Sequence, residues 1–293
     1  MSRLATSKLT LGYDKRVVVH ELDLAVPDRS FTVIIGANGC GKSTLLRALA
    51  RVLRPSGGTV LLDGKEISTL PPRRVARTVG LLPQSPITPD GITVGELVGR
   101  GRFPHQGPLR RESPEDRAVV ERCLAETALT ELRERPVAEL SGGQRQRAWI
   151  AMALAQDTEL LLLDEPTTFL DLAHQIEVLD LCARLHRDGR TVVAVLHDLN
   201  QAARYASHLI ALRDGAVLAA GAPGRVITPE LVEAAFGLRA RVIEDPESAT
   251  PLVIPAFRRP HGAAERRDSA EQCAGVLFPA KLPPSRIRSS SAD

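Results

Sequence analysis

The residues best able to do chemistry in this 293-residue chain lie close together at Gly36–Thr44, which reads GANGCGKST. The run fits G-x-x-x-x-G-K-[ST], with Gly36, Gly41, Lys42 and Ser43 in the defining positions and Ala37, Asn38, Gly39 and Cys40 between them. A backbone wrapped around phosphate oxygens leaves no room for side chains, which is why glycines recur. Successive N–H groups, with the positive end of a following helix, make a cradle for anions. The pattern predicts that Lys42 reaches the β- and γ-phosphates and that the Ser43 hydroxyl ligates Mg²⁺, with Thr44 completing the motif. Its flanks agree: Phe31–Ile35 is an apolar run of strand type, and Thr44–Val52 is leucine-rich in the helical manner. Strand, glycine loop and helix together predict a nucleoside triphosphate site.

Hydrolysis of a triphosphate needs further groups, and they occur at the ends of apolar runs. Asp164 follows Leu160–Leu163 and can serve Mg²⁺, while the adjacent Glu165 is the natural general base for an attacking water. Gln84, just beyond Val79–Leu82, and His197, after Thr191–Leu196, are candidates to sense the γ-phosphate. A lone histidine would read as structural; its company makes His197 a candidate. Tyr13 lies 23 positions before Gly36, a spacing that fits a packed strand aromatic as well as a nucleobase platform. Ser141-Gly142-Gly143-Gln144 opens another helix and offers a second anion site from a hydroxyl, two glycines and a helix N-terminus. Within the loop, the inward N–H groups, Lys42 and the helix N-terminus should lower the Cys40 thiol pKa. An open loop then predicts a reactive thiolate that nucleotide protects.

Placing these groups requires an alternation of elements. Thr10–Tyr13 and Val17–Leu24 alternate in the strand manner around Asp14-Lys15, so the N-terminal part reads as β-rich. Gly57-Gly58 and Asp63-Gly64 read as turns on either side of Thr59–Leu62. From about residue 86 to 157 the character changes, with glycines and prolines from Pro86 to Pro108 breaking up the first part. Ser113-Pro114-Glu115-Asp116 then has the form of a helix start, and Val120, Cys123, Leu124 and Thr127 recur at helical spacing. After Ser141, Ala148, Ala151, Met152 and Ala155 share one helix face, and Trp149, Ile150 and Leu154 make the rest apolar, which predicts a largely buried helix. Leu209–Leu212 and Val217–Ala220 form a hairpin about Asp214-Gly215, and Thr228-Pro229-Glu230 starts a helix that Gly237 ends. The whole predicts an α/β chain with a mainly parallel sheet covered on both faces and its chemistry at the carboxyl ends of the strands. Residues 259–293, rich in Arg, Pro, Ser and Ala, are expected to be a disordered tail.

Composition narrows the partners. A net charge of +3 is too small to argue for nucleic acid by itself, and no nucleic-acid partner is expected. Cys40, Cys123, Cys182 and Cys273 are far apart without zinc or disulfide spacing, which fits a reducing compartment. No run of about 18 apolar residues occurs and the N-terminus lacks a signal-peptide core, so any work at a membrane needs other chains to span it.

Leu140–Arg147 reads LSGGQRQR, and with it the chain resembles the ATP-binding cassette (ABC) family over about residues 3–257. The resemblance implies a RecA-like P-loop NTPase fold with a mainly parallel core sheet, an antiparallel β N-terminal part and a helical signature subdomain at about 86–157, within an ATPase domain of residues 1–258. It implies Tyr13 as the adenine-stacking residue, Gly36–Thr44 as Walker A and Gln84 as the Q-loop glutamine that also serves Mg²⁺. Leu140–Gln144 would be the signature, Asp164 and Glu165 Walker B, and His197 the switch histidine. In that family the signature faces the γ-phosphate held by a second copy, so two chains sandwich two ATP molecules.

One segment departs from the broad pattern E-P-T-S-x-L-D: Glu165–Asp171 reads EPTTFLD, with Thr168 and Phe169 in place of small residues. That variant, with Gly101–Gln106 (GRFPHQ), His197–Ser207 and Pro246–Pro255, resembles the iron-chelate importer branch, ferric-enterobactin type. The implied activity is ATP hydrolysis powering import of an iron(III)–siderophore complex at the cytoplasmic face of the inner membrane. Implied partners are a second copy, transmembrane permease subunits and, indirectly, an extracytoplasmic siderophore-binding protein. Importers of haem or cobalamin are alternatives, as is, in another class, a soluble cassette ATPase acting on nucleic acid or ribosomes. The latter usually carry a tandem cassette or a long coiled-coil insertion, whereas only an ordinary helical insert separates Lys42 from Ser141 here. A catalytically dead cassette is the last alternative, and the presence of Glu165 and His197 argues against it.

Overall fold

The computed structural model describes residues 2–14, 16–107 and 112–256. Lys15, Pro108 and the expected tail with Cys273 lie outside the described residues. Strand β1 (Ser2–Tyr13) returns as β2 (Arg16–Pro27), and β3 (Phe31–Gly36) leads through the glycine loop into helix α1 (Lys42–Leu49). Next come β4 (Gly57–Leu62), the short β5 (Lys65–Glu66), α2 (Pro72–Thr78) and β6 (Val79–Leu82). Helices α3 (Val94–Gly99), α4 (Pro114–Glu126) and α5 (Gly142–Ala155) intervene before β7 (Leu160–Asp164), α6 (Leu172–Arg187), β8 (Thr191–Val195) and α7 (Leu199–Tyr205). The hairpin β9 (His208–Arg213) and β10 (Ala216–Gly221), helices α8 (Pro223–Val226) and α9 (Pro229–Phe236), and the hairpin β11 (Ala240–Glu244) and β12 (Pro251–Pro255) follow.

The core sheet runs β10-β9-β3-β8-β7-β6, parallel throughout except where β10 returns against β9. Every residue of β3, β7 and β8 is buried because both faces are covered. The two-residue repeat of a strand divides their side chains between two layers. Val33, Ile35, Leu161, Leu163, Val192 and Ala194 join the layer formed with α5, α6 and α7, while Ile34, Leu160, Leu162, Val193 and Val195 join that of α1, β1 and β2. Burying each such Val, Leu or Ile side chain contributes about 1.5–3 kcal/mol, and a one-residue slip would exchange the layers, so the register of the strands that end at the site is fixed.

A second, antiparallel sheet has the order β2-β1-β4-β5. Gly57 and Gly58, expected to turn, lie inside β4 instead. Gly58 has φ +65, and a Cβ there would come within 2.1 Å of the Lys8 carbonyl oxygen, opposite a register shift between Ser7 and Thr10. The pair makes a bulge. At the β9–β10 hairpin, Asp214 and Gly215 have φ +48 and +77, the positive pair that a type I′ turn requires.

The helices between β6 and β7 begin with reciprocal caps. Ser113 and Asp116 cap α4 as the sequence predicts, and Thr93 and Glu96 make the same box on α3, within the stretch expected to be broken up by glycines. Arg102 pairs with Asp116 at 2.9 Å and donates to the Ala155 carbonyl at 2.9 Å, a buried tie between α4 and α5. Burial alone would raise the Asp116 carboxyl, but bonds from Arg102 and Ser113 outweigh it and hold the group below its usual range. Their contribution to stability is therefore complete at neutral pH and is lost as acid titrates through the lowered value.

Candidate functional site

The loop between β3 and α1 is shaped by contacts that only glycine permits at its start. Gly36 has φ +151, and a Cβ there would lie 2.3 Å from the Leu212 carbonyl oxygen. Lys42 is 5% exposed, and its Nζ donates to the carbonyls of Gly36 at 2.9 Å and Ala37 at 3.0 Å. Ser43 Oγ donates to Asp164 Oδ1 at 2.8 Å, joining the start of α1 to the end of β7. The other oxygen, Asp164 Oδ2, is buried without a hydrogen-bond partner among the described residues. Burial raises the Asp164 pKa, the Ser43 bond opposes this, and the charge of Glu165 adds to the rise. A buried carboxylate with one orphan oxygen beside a hydroxyl is suited to a hard cation.

Cys40 contradicts the expected reactivity. Its side chain is 4% exposed and packs in the core with Ile34 and Leu45, and its Sγ lies so close beneath Gly36 that a Cβ there would come within 2.8 Å. Burial raises the thiol pKa and outweighs the lowering by Lys42. Its part in the site is thus confined to the backbone, whose N–H donates to the Ala37 carbonyl at 3.3 Å. Maleimide should label Cys40 slowly with or without MgATP and rapidly only after unfolding. Fast labelling of the folded protein that MgATP suppresses, read by mass spectrometry, would contradict this.

A cleft of about 680 Å³ is lined by Asn38, Gly39, Gly41, Lys42, Ser43 and Thr44 of the loop together with Tyr13, Gln84, Glu165 and His197. Gly36, Ala37, Cys40 and Asp164 do not reach its wall. Tyr13 is 44% exposed, which removes the packed-aromatic alternative and leaves its ring available to a base. Arg16 and Val18 also line the cleft and were not anticipated.

Glu165 is held from several sides. Its Oε2 accepts from Gln84 Nε2 at 2.7 Å and Thr168 Oγ1 at 3.1 Å, and its Oε1 lies 2.7 Å from His197 Nε2. The backbone of Glu165 has φ +54, an uncommon conformation for a residue with a Cβ, of the kind that accumulates at functional sites. The segment it begins is anchored again at Leu170, whose carbonyl accepts from Gln175 Nε2 at 2.9 Å. Gln175 in turn accepts from Gln201 Nε2 at 2.6 Å, and the Gln201 N–H donates to Asp198 Oδ1 at 2.9 Å, beside His197. Thr168, whose hydroxyl donates to Glu165, was noticed in the sequence only as a departure from a pattern; the departure itself was the available signal.

Ser141, Gly142, Gly143 and Gln144 do not line this cleft. Ser141 caps α5, its Oγ accepting from the Gln144 N–H at 3.2 Å while Gln144 Oε1 accepts from the Ser141 N–H at 3.1 Å. One chain thus brings the phosphate loop, Gln84, Glu165 and His197 together and leaves the second anion site apart.

The sequence matches the ABC transporter family over residues 19–168. It is 54% identical over 259 residues to the ferric enterobactin transport ATP-binding protein of Escherichia coli (strain K12), covering 88% of this chain and 96% of that protein. It is 48% identical over 255 residues to the iron(3+)-hydroxamate import ATP-binding protein of Bacillus subtilis (strain 168), covering 87% and 95% respectively. Among solved structures, a dimeric ATP-binding cassette in a post-hydrolysis state bound to ADP and phosphate aligns with a TM-score of 0.67 and 28% identity, covering 75% of this chain and 98% of that one.

Proposed function

We propose that this chain, which belongs to the ABC transporter family, is the ATP-hydrolysing subunit that powers import of an iron(III)–siderophore complex. The observation that carries the chemistry is the clasp on Glu165, immediately after Asp164 and in the cleft that Lys42 and Ser43 line. A carboxylate held by Gln84, Thr168 and His197 can orient an attacking water and take its proton. Tyr13 stacks on adenine, and the loop N–H groups hold the phosphates. Lys42 exchanges its two backbone carbonyls for the β- and γ-phosphates.

Ser43, Asp164 and Gln84 are the residues that would hold Mg²⁺. The orphan oxygen of Asp164 and the neighbouring hydroxyl fit it. When bound, Mg²⁺ neutralises charge on the β- and γ-phosphates.

The ATPase domain of this reading spans residues 1–258, with the signature on its helical part at about 86–157. Since the signature stands apart from the cleft within one chain, a second copy supplies it, as the dimeric relative encourages. Among the described residues no helix is long and apolar enough to cross a membrane. Permease subunits provide the path, this chain works on them at the cytoplasmic face, and an extracytoplasmic binding protein delivers the cargo.

The cargo reading follows two relatives whose names carry iron(III) chelates. Cells lacking this chain should lose uptake of ⁵⁵Fe–siderophore and keep uptake of haem and cobalamin, with restoration by the wild-type gene. Retained iron–siderophore uptake alongside lost haem or cobalamin uptake would reassign the cargo.

A further inference from the structure

His174, in the first turn of α6, stands against the second glycine of the signature. A Cβ on Gly143 would meet the imidazole 2.6 Å from Cδ2 and 3.0 Å from Nε2, so the ring occupies the space a side chain there would need. The ring is itself fixed. Its Nδ1 is 2.6 Å from Asp171 Oδ1, and the same oxygen accepts the His174 backbone N–H at 2.9 Å as the cap of α6. An ionised Asp171 only accepts, so the proton of that bond sits on Nδ1. About one turn further along both helices, Arg147 pairs with Glu177 at 2.8 Å. These two contacts brace the first two turns of α5 against the first two turns of α6.

We infer that His174 is a positioning residue for the signature, setting where the Gly142 and Gly143 N–H groups stand when the γ-phosphate of the second copy arrives. This rests on the two-copy reading above. Two consecutive glycines hold their backbone less firmly than other residues, so a packed neighbour adds to what the Ser141–Gln144 cap fixes. The demand is strict, because donors aimed at a transferring phosphoryl group act only when correctly placed. Asp171 gives the brace a second consequence: it closes the segment that begins at Glu165, so one aspartate holds both the end of that segment and the ring that steadies the signature.

Mixed dimers test this. A chain with Ser141→Arg keeps its phosphate loop, a chain with Lys42→Ala keeps its signature, and their heterodimer holds one complete composite site. His174→Ala in the Lys42→Ala chain should lower the heterodimer's turnover by on the order of tenfold, the scale expected of a sub-ångström misplacement. His174→Asn, whose amide nitrogen can replace the Nδ1–H toward Asp171, should restore most of that loss. In the Ser141→Arg chain, whose signature is already disabled, His174→Ala should cost far less. A general folding defect would act alike in either placement, so equal losses would overturn the proposal, as would no loss in the signature-donating chain. A parent heterodimer that forms but stays inactive would instead remove the two-copy reading, and this proposal with it.

Discussion

Replacing Glu165 with glutamine is expected to cut ATP turnover by roughly 10²–10⁴, the range for a lost general base. The substitution keeps the size and shape of the side chain, so the cleft should survive. An amide cannot take a proton from water, however, and it exchanges one of the acceptor oxygens for a donor. Gln84 Nε2, Thr168 Oγ1 and His197 Nε2 all surround the carboxylate in the native chain, at 2.7, 3.1 and 2.7 Å. An amide nitrogen aimed at Gln84 Nε2 loses that partner, since both groups then only donate. Lys42, Ser43 and Tyr13 are untouched, so ATP binding should persist and the nucleotide-bound dimer should accumulate. Phosphate release measured beside nucleotide binding separates the two effects. Near-normal hydrolysis by Glu165→Gln would remove Glu165 from the role of base.

The parts of the fold that were legible in the sequence are those where local backbone demands and strand periodicity agree. The glycine loop after Phe31–Ile35, the apolar runs Leu160–Leu163 of β7 and Val192–Val195 of β8, and the Asp214-Gly215 turn each announce themselves within a few residues. Other elements were hidden by composition. Gly95 and Gly99 lie inside α3, which forms because Thr93 and Glu96 cap it and Val94, Leu97 and Val98 are buried. The cap was readable; the glycines obscured it. In α6, Val178, Leu179, Leu181, Cys182 and Leu185 are buried at helical spacing, a repeat that the sequence reading passed over. Of the β11–β12 hairpin only Pro246–Pro255, which holds β12, was noticed, and that only as a likeness.

At the site, residue types and spacing pointed to the groups that meet in the cleft, because each sits at a strand end or on the loop. They could not show what holds Glu165. Thr168 acts through a hydrogen bond set by an unusual backbone angle, and the Gln175–Gln201 bond joins helices distant in sequence. Nor could spacing reveal His174 against Gly143. Cys40 misled for a simpler reason. Local charges argue for a lowered thiol pKa, yet whether the sulfur points into the cradle or the core depends on packing, and burial outweighs the cation here.

Mixing two inactive variants gives the second large effect. Lys42→Ala removes the ammonium of the phosphate loop, and Ser141→Arg puts a bulky cation in place of the signature hydroxyl, so each homodimer should be nearly inactive. The cleft of one chain contains no residue of its own Ser141–Gln144 segment, and catalysis should need the signature of one copy over the loop of the other. Random pairing makes about half of the dimers mixed, each with one complete site, so an equimolar mixture should recover roughly a quarter of wild-type turnover. Differently tagged chains allow the heterodimer to be isolated and assayed alone. Recovery well above either variant is the predicted result; a heterodimer that forms yet hydrolyses no faster than its parents would contradict it.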